Sequence, residues 1–320
     1  DSYAANEALK NLEPPKDIQV HFFTHADIQD SQAAREFIQG SEIIVADVMQ
    51  PEITDYLLEN VDTQSRPVYA LRGSHDDQKL KNKGFRFEPK IQAYFQNLSV
   101  QNIHNMLRRV IHDQLDASVV YDPVHKRPQT GIYHPWAGST FPTFSAYQEW
   151  YMEKGPGKAE KPWLGLMLFS SSLIPGQRQA VDTQIQRIEV AGWNVAACFG
   201  RDEEVLTSLL LDNDRSPQVD ALLAFSLKFY SAMNSTVQKA LQDVNLPVVN
   251  AVNLYGQNIS EWRENPQGIP PMHVVWTMAN PEISGLIEPT PLTGPVQITD
   301  PETGRKVTRS RVITDNLDRL

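Results

Sequence analysis

The sequence predicts an α/β protein, two doubly wound parallel-sheet units joined by a proline-rich connector. Three observations carry that expectation. Short apolar runs of strand length recur, among them the β-branched Glu42–Asp47, Trp163–Phe169 and Val219–Phe225. Amphipathic stretches of helical length separate them, which is the pattern of a parallel sheet with crossover helices. The alternation also occurs twice, on either side of a segment with prolines at 123, 128, 135, 142, 156 and 162. The expected division is therefore an α/β domain over 1–116, a connector over 117–162 and a second α/β domain over 163–320.

In the first unit, Ile18–Thr24 reads as a strand and Ser31–Gln39 as a helix. Glu42–Asp47 is a buried strand, residues 51–60 a helix opened by Pro51, and Pro67–Leu71 a third strand. Lys90–Leu115 is the longest helical stretch, with Asn102, Asn105 and Met106 on it. The second unit reads as strands at Trp163–Phe169, Trp193–Phe199, Val219–Phe225 and Leu246–Val252. Helices follow the first three, over Arg178–Ala191, Glu203–Leu211 and Ser235–Leu241, with Gly192 as a stop for the first. A hairpin turned at Asp300–Gly304 closes the pattern. Ligands of such sheets bind beyond the carboxyl ends of the strands, which singles out the loops Ser170–Gly176, Gly200–Glu204, Ser226–Ser235 and Asn253–Gln257.

Composition narrows the function. The chain has 320 residues, 41% hydrophobic and 21% charged, and a formal net charge of −10. No basic cluster exceeds pairs such as Arg108-Arg109, which disfavours a nucleic-acid partner. No run reaches the roughly 18 apolar residues of a membrane-spanning helix. The lone Cys198 excludes an internal disulfide and multi-cysteine metal sites, and its apolar run predicts a buried side chain. The chain begins at Asp1 rather than methionine, and Ile313–Leu320 reads as a helix start capped by Asp315 without a stop signal. Both features predict a longer parent chain.

The most informative stretch is Gly131-Ile132-Tyr133-His134-Pro135-Trp136, followed by Tyr147-Gln148-Glu149-Trp150-Tyr151. A residue before proline is pushed out of helical conformations, so His134 belongs to a loop or strand end from which a ring can be aimed. The other reading is an aromatic-lined turn that packs two segments together. Ser170-Ser171-Ser172, a following Gly176 and a helix start could hold an anion. Serines that cap the helix are the alternative there. The loop is neither a Walker A nor a Gly-x-Gly-x-x-Gly motif, and no Gly-x-Ser-x-Gly elbow or His-Glu-x-x-His motif occurs. His21/His25 lie on a strand-to-loop stretch. His104/His112 are about 12 Å apart along a helix, too far for one ion, and both pairs read as surface or capping histidines. Glu282 and Glu288, in a loop punctuated by Gly285 and Pro289, could accept a proton or ligate a cation, or cap a turn.

Taken in order, several segments resemble the tetrapyrrole metal chelatase large subunits, the CobN-type cobaltochelatase and magnesium-chelatase H subunits. They are Asn102–Leu107, Gly131–Pro135, Glu149-Trp150, Leu168–Gly176, Val248–Gln257, Glu261-Trp262, Pro266–Pro270 and Pro281–Pro289. The resemblance covers about residues 100–320. It implies the N-terminal part of a long chain that binds a porphyrin, haem or corrin while a divalent metal is inserted or removed. ATP would enter only through AAA+ ATPase partner subunits, and the remainder of the longer chain would be a further partner, so the fragment need not be active alone. The resemblance implies a cytoplasmic setting; the missing methionine suits an exported or membrane-associated version.

On that resemblance, His134 is the expected catalytic and metal-facing group and Glu288 a proton or metal acceptor. Tyr133, Trp136 and Trp150 would supply flat apolar surface, and Ser170, Ser171 and Ser172 would meet the acidic periphery of the ring. The departure is at those serines, where the family shows Arg-Ser-His and a guanidinium and an imidazole are lost together. A different ring, or the reverse reaction of the HmuS-type haem dechelatases, would fit that change. A non-catalytic, two-lobed small-ligand-binding module is the alternative function.

Overall fold

The structure, a computed structural model, describes residues 1–73, 76–228 and 234–318. Backbone packing divides the chain into two compact units. The first is Asp1–Arg127 with Pro301–Arg305, and the second is Pro128–Asp300 with Lys306–Leu320.

The first unit holds a parallel sheet of three short strands, β1 (Ile44–Ala46), β2 (Val68–Ala70) and β3 (Phe85–Arg86), in that order. Around it run α1 (Ser2–Lys10), α2 (His25–Asp30), α3 (Gln32–Gly40), α4 (Pro51–Asn60), α5 (Asp77–Asn82), α6 (Pro89–Gln96) and α7 (Val100–Gln114). Two expectations are corrected. Ile18–Thr24 makes no ladder. Thr24 and Asp27 close a reciprocal cap that starts α2, while His21 and Phe23 stack on Phe37. The long helix expected over Lys90–Leu115 breaks at Asn97–Ser99, because the Ser99 hydroxyl caps α7 by accepting from Asn102 N. The polar start of the chain is itself helical, with Asp1 capping α1. His104 and His112 each bond a backbone carbonyl, of Asn11 and Val119.

The asparagines of α6 and α7 fasten the segment that follows. Asn102 is fully buried; its amide donates to Asn97 O (2.6 Å) and His125 O (2.8 Å), and its oxygen accepts from His125 N (2.9 Å). Asn105 takes Asp122 N, and Asn97 takes Arg127 N.

The second unit is built on one sheet of order β10-β9-β8-β7-β5-β6-β4. The strands are β4 (Gly131–Tyr133), β5 (Trp163–Leu168), β6 (Asn194–Phe199), β7 (Ala221–Ala224), β8 (Val248–Asn253), β9 (Ile287–Thr299) and β10 (Lys306–Val312). The five strands β5 to β9 are parallel, while β4 and β10 run antiparallel at the two edges. In chain order the parallel strands follow the doubly wound arrangement 2-1-3-4-5, whose reversal point lies between β5 and β7. Both units are thus α/β with parallel sheets, as the sequence predicts.

Parallel strands are covered on both faces, and this sheet shows it residue by residue. Met167, Ala196 and Cys198 pack into one cluster with Tyr147 and Tyr151 of α8 (Phe144–Glu153) and Ala240 of α11 (Ser235–Val244). Their neighbours Leu166, Leu168, Val195 and Ala197 pack into another with Val181, Ile185 and Ile188 of α9 (Pro175–Val190). The remaining helices are short: α10 (Asp202–Glu204) continued by a wide turn over Val205–Leu209, α12 (Ile259–Glu264), α13 (Pro271–Val274), α14 (Asn280–Ile283) and α15 (Thr314–Leu317). Gly192 ends the α9 connection at φ +105, a conformation that disfavours any side chain.

Replacing Asn102 with alanine leaves three part-buried backbone groups, Asn97 O, His125 O and His125 N, without this partner. We expect Asn102→Ala to destabilise the first unit by about 2–4 kcal/mol in urea unfolding and to speed amide exchange over 122–127. An unchanged midpoint with unchanged exchange would refute this role.

Candidate functional site

The Gly131–Trp136 stretch folds as an edge strand and the turn after it. Gly131 sits where a Cβ would lie 2.9 Å from Phe141 O, and the neighbouring Ile132 exchanges both backbone hydrogen bonds with Phe141. His134 follows as a buried residue, 1% exposed. Its Nδ1 accepts from Trp136 N (3.2 Å) and its Nε2 donates to the Glu189 carboxylate (2.9 Å), so Nε2 carries the proton. The ring packs among Trp136, Tyr147, Trp150 and Tyr151, at centroid distances of 5.1–6.5 Å. Tyr151 donates to the same Glu189 oxygen (2.9 Å), and Tyr147 donates to Val195 O (2.6 Å). Both nitrogens of His134 are therefore engaged inside the fold. The imidazole expected to act on a metal or substrate thus links α8, α9 and the β4 edge through the Glu189 carboxylate.

The other expected residues separate. Tyr133 donates to Asp182 (2.7 Å), and burial pushes its hydroxyl well above the usual tyrosine range. Trp150 is half-buried in the aromatic cluster, while Trp136 is 59% exposed beside it. Glu288 is exposed at the start of β9, at φ +52 beside a register shift. It lies five residues, about 17 Å of strand, before Thr293 at the carboxyl end. His134 and Glu288 do not share a site. Among the described residues no group of three or more His, Cys, Asp and Glu side chains is placed to hold a metal ion.

Two of the four expected carboxyl-end loops, Ser170–Gly176 and Asn253–Gln257, line a cleft. Its volume is about 100 Å3, and it opens at the reversal point between β5 and β7. Ser171 and Ser172 enter from the loop after β5, Gln177 and Gln184 from α9, Asn253 and Tyr255 from the end of β8. Leu168, Val181 and Phe225 form apolar wall. Thr293 on β9 donates to Asn253 (2.7 Å), and burial pushes the Tyr255 hydroxyl up. Gln184 is 1% exposed, and its Oε1 has no hydrogen-bond partner among the described residues. Ser170 turns away and donates to Gln129 O (3.0 Å).

The serines expected to hold an anion sit in a turn that uses part of its own backbone donors. Residues 170–173 wind into a tight turn that spends its own donors: Ser172 N on Phe169 O, and Ile174 N on Ser171 O. Gln177 N and Arg178 N both bond Ile174 O, and Pro175 has no N–H. Among the described residues, none that lines the cleft is charged.

Sequence reading missed a second polar centre. Lys228 lies beyond β7 and is 3% exposed; its ammonium donates to Ala224 O (3.3 Å) and to Asn250 Oδ1. Burial pushes its pKa down to about 7, against the pull of Asp202, whose own carboxyl is raised by burial. Asp202 takes Leu227 N, and Asn250 passes the chain to Thr277 O (3.0 Å). The Gly200–Glu204 and Ser226–Ser235 loops singled out in the sequence contain Asp202 and Lys228, but nothing in the sequence marks the burial of the two or their pairing. Residues 229–233 of the Ser226–Ser235 loop lie outside the described residues.

These two centres give opposite expectations. His134→Ala leaves the Glu189 carboxylate short of a donor in a buried setting and should destabilise the second unit by about 2–4 kcal/mol, measured by urea unfolding. A midpoint equal to wild type would contradict the lock. Lys228 binds its proton more weakly folded than unfolded, so stability should rise with pH from about 7 towards 10.5. Lys228→Met should stabilise the protein at pH 7 and flatten the slope between pH 7 and 9; a slope that survives the substitution would refute the assignment.

The magnesium-chelatase H subunit of Chlorobaculum parvum is 26% identical over 249 residues, which is 75% of this chain and 19% of that protein. An uncharacterized protein of Methanocaldococcus jannaschii is 24% identical over 72% of this chain and 20% of its own length. The chloroplastic magnesium-chelatase ChlH subunit of Oryza sativa subsp. indica is 25% identical over 65% of this chain and 16% of its own length. The chain thus spans about a fifth of the relatives it matches. The catalytic subunit of cobaltochelatase from Mycobacterium tuberculosis shares the fold, with a TM-score of 0.53 and 16% identity over 99% of this chain and 25% of that one. Among the described residues no helix is long and apolar enough to cross a membrane. The family model described as CobN/Magnesium Chelatase matches residues 92–320, and the chain belongs to that family.

Proposed function

We propose that this chain is the part of a tetrapyrrole metal chelatase large subunit that grips one edge of the macrocycle while a divalent metal is inserted. The single observation that carries the reading is the carboxyl-end cleft, where Ser171, Ser172 and the buried Gln184 converge at the reversal point of the sheet. Relatives named as magnesium-chelatase subunits support insertion rather than removal.

Size limits what the cleft does. Pockets that enclose a small molecule hold roughly 300–1,000 Å3, and about 100 Å3 admits only a substituent. The ring would lie across the cleft mouth, with one peripheral group inserted. Ser171, Ser172 and Asn253 orient that group, and the wall of Leu168, Val181 and Phe225 excludes water around it. His134 holds the sheet edge against α9 at Glu189, the end of that helix away from Gln177 and the cleft, and does not touch the guest. The remaining surface for the ring, the metal and the ATPase partners belongs, on this reading, to the rest of a longer chain and to companion subunits in the cytoplasm.

A spectroscopic titration tests the reading. Metal-free porphyrin or haem added to the chain should shift the Soret band saturably. The double variant Ser171→Ala/Ser172→Ala should weaken that binding about tenfold, equivalent to ~1.4 kcal/mol. His134→Ala, compared at a temperature where it stays folded, should leave the affinity unchanged. The reading fails if no tetrapyrrole shifts the band, or if His134→Ala alone abolishes the shift.

A further inference from the structure

We propose that Met272, Val275 and Trp276, on the outward side of α13 and the turn after it, seat one face of a flat aromatic ring whose edge group sits in the cleft. The inference rests on the reading of the cleft as a substituent grip and names the surface that takes the body of the same guest.

α13, a wide turn over Val275–Ala279 and α14 form one helical run from Pro271 to Ile283. Its inward side is fixed. Thr277 and Pro281 are buried, the Thr277 hydroxyl donates to His273 O (2.7 Å), and the Asn250 amide of β8 donates to Thr277 O (3.0 Å). Helical spacing puts Met272 and Val275 on the opposite side, with Trp276 half-buried at its margin. Met272 is 76% and Val275 55% exposed. A helix facing water ordinarily carries charge on that side. Here residues 265–281 contain no Asp, Glu, Lys or Arg, in a chain that is 21% charged. A contiguous apolar patch held open to solvent marks an interaction surface.

This patch runs into the cleft. Tyr255 belongs to both: it lines the cleft, and its ring lies 4.7 Å from that of Trp276 at an angle of 57°. The His273 ring completes the group, 5.7 Å from Trp276 and 6.5 Å from Tyr255. Gly256 makes the packing possible. It sits at φ +69, where a Cβ would lie 2.7 Å from His273 Cε1. The three rings are thus set by backbone and sheet contacts before any guest arrives, which lowers the ordering cost of binding.

Continuity and charge together select the occupant. A guest gripped by one edge group must lay its body on whatever adjoins the cleft mouth, and on the Tyr255 side that is Trp276 and then Met272. Aromatic rings favour the offset and tilted stacking that Trp276 and Tyr255 offer. The Met272 thioether is flexible and polarizable and packs well on an aromatic system. No described residue lining the cleft is charged, and 265–281 adds no fixed charge beside it, so a neutral ring face is covered without stranding an ion.

The test observes the ring face directly. Metal-free porphyrin is titrated into the chain labelled with carbon-13 at its methionine methyl groups. A methyl lying over the ring is moved upfield by the ring current. The Met272 signal, assigned with Met272→Leu, should move upfield saturably, while that of Met49, exposed in the first unit, should stay. Met272→Glu/Val275→Glu, at two exposed positions, should weaken binding at least tenfold in a Soret titration at an unchanged urea midpoint. Val190→Glu, at an exposed apolar position on α9, should leave the affinity as it is. The inference alone is overturned if the Soret band shifts while the Met272 signal stays, or if Met272→Glu/Val275→Glu binds as tightly as the wild type. A Met272 signal that follows protein concentration and ignores porphyrin would assign the patch to a second copy of the chain, and also overturn it. Absence of any Soret shift would remove the cleft reading and this inference together.

Discussion

A parallel sheet exposes apolar side chains on both faces, and the second unit is organised by the need to cover them. Successive residues of β5 and β6 feed opposite clusters, Leu166 and Leu168 against α9, Met167 and Cys198 against α8 and α11. Because every crossover returns the chain to the same end of the sheet, the loops after the strands collect at the carboxyl ends. Order 2-1-3-4-5 then parts the loops after β5 and β7, and the gap becomes a cleft. The polar groups in it are there because the topology delivers strand ends to one place.

The edge strand β4 solves a different problem. An unpaired edge of β6 would leave backbone donors exposed, and Gly131–Tyr133 covers it antiparallel. His134 then fixes the cover. Its two nitrogens, the Glu189 carboxylate and the Tyr151 hydroxyl form a small closed network, and four aromatic rings exclude water from it. Networks of this kind are valuable when every member is satisfied and costly when one is removed. The aromatic residues of the motif pack around this network, and the neutral side chains that line the cleft lie at the other end of α9. Gln177 and Glu189 are twelve residues, about 18 Å of helix, apart.

Much of the architecture is legible in the sequence because it rests on local rules. Residues 51–60 start with Pro51 and form a helix over that range, and the apolar runs at 163–169 and 193–199 are strands as expected. The rule for carboxyl ends also points to the Ser170 and Asn253 loops from the strand pattern alone. Where reading by pattern fails, a competing interaction wins. Ile18–Thr24 has strand composition, yet the Thr24–Asp27 cap and the stacking on Phe37 claim it. The His-Pro motif carries no mark distinguishing an imidazole aimed outward from one locked on a carboxylate 55 positions away. Gln184 and Lys228 leave almost no signal, since a glutamine on an amphipathic helix and a lysine after a strand are ordinary until their burial is known.

The central claim is that ligand contact occurs at the carboxyl-end cleft and not at the His-Pro edge. Hydrogen–deuterium exchange of the chain with and without metal-free porphyrin tests it most directly. The account predicts slowed exchange over 170–178 and 253–257, with 131–137 unchanged. Slowed exchange confined to 131–137, with the cleft loops untouched, would contradict it.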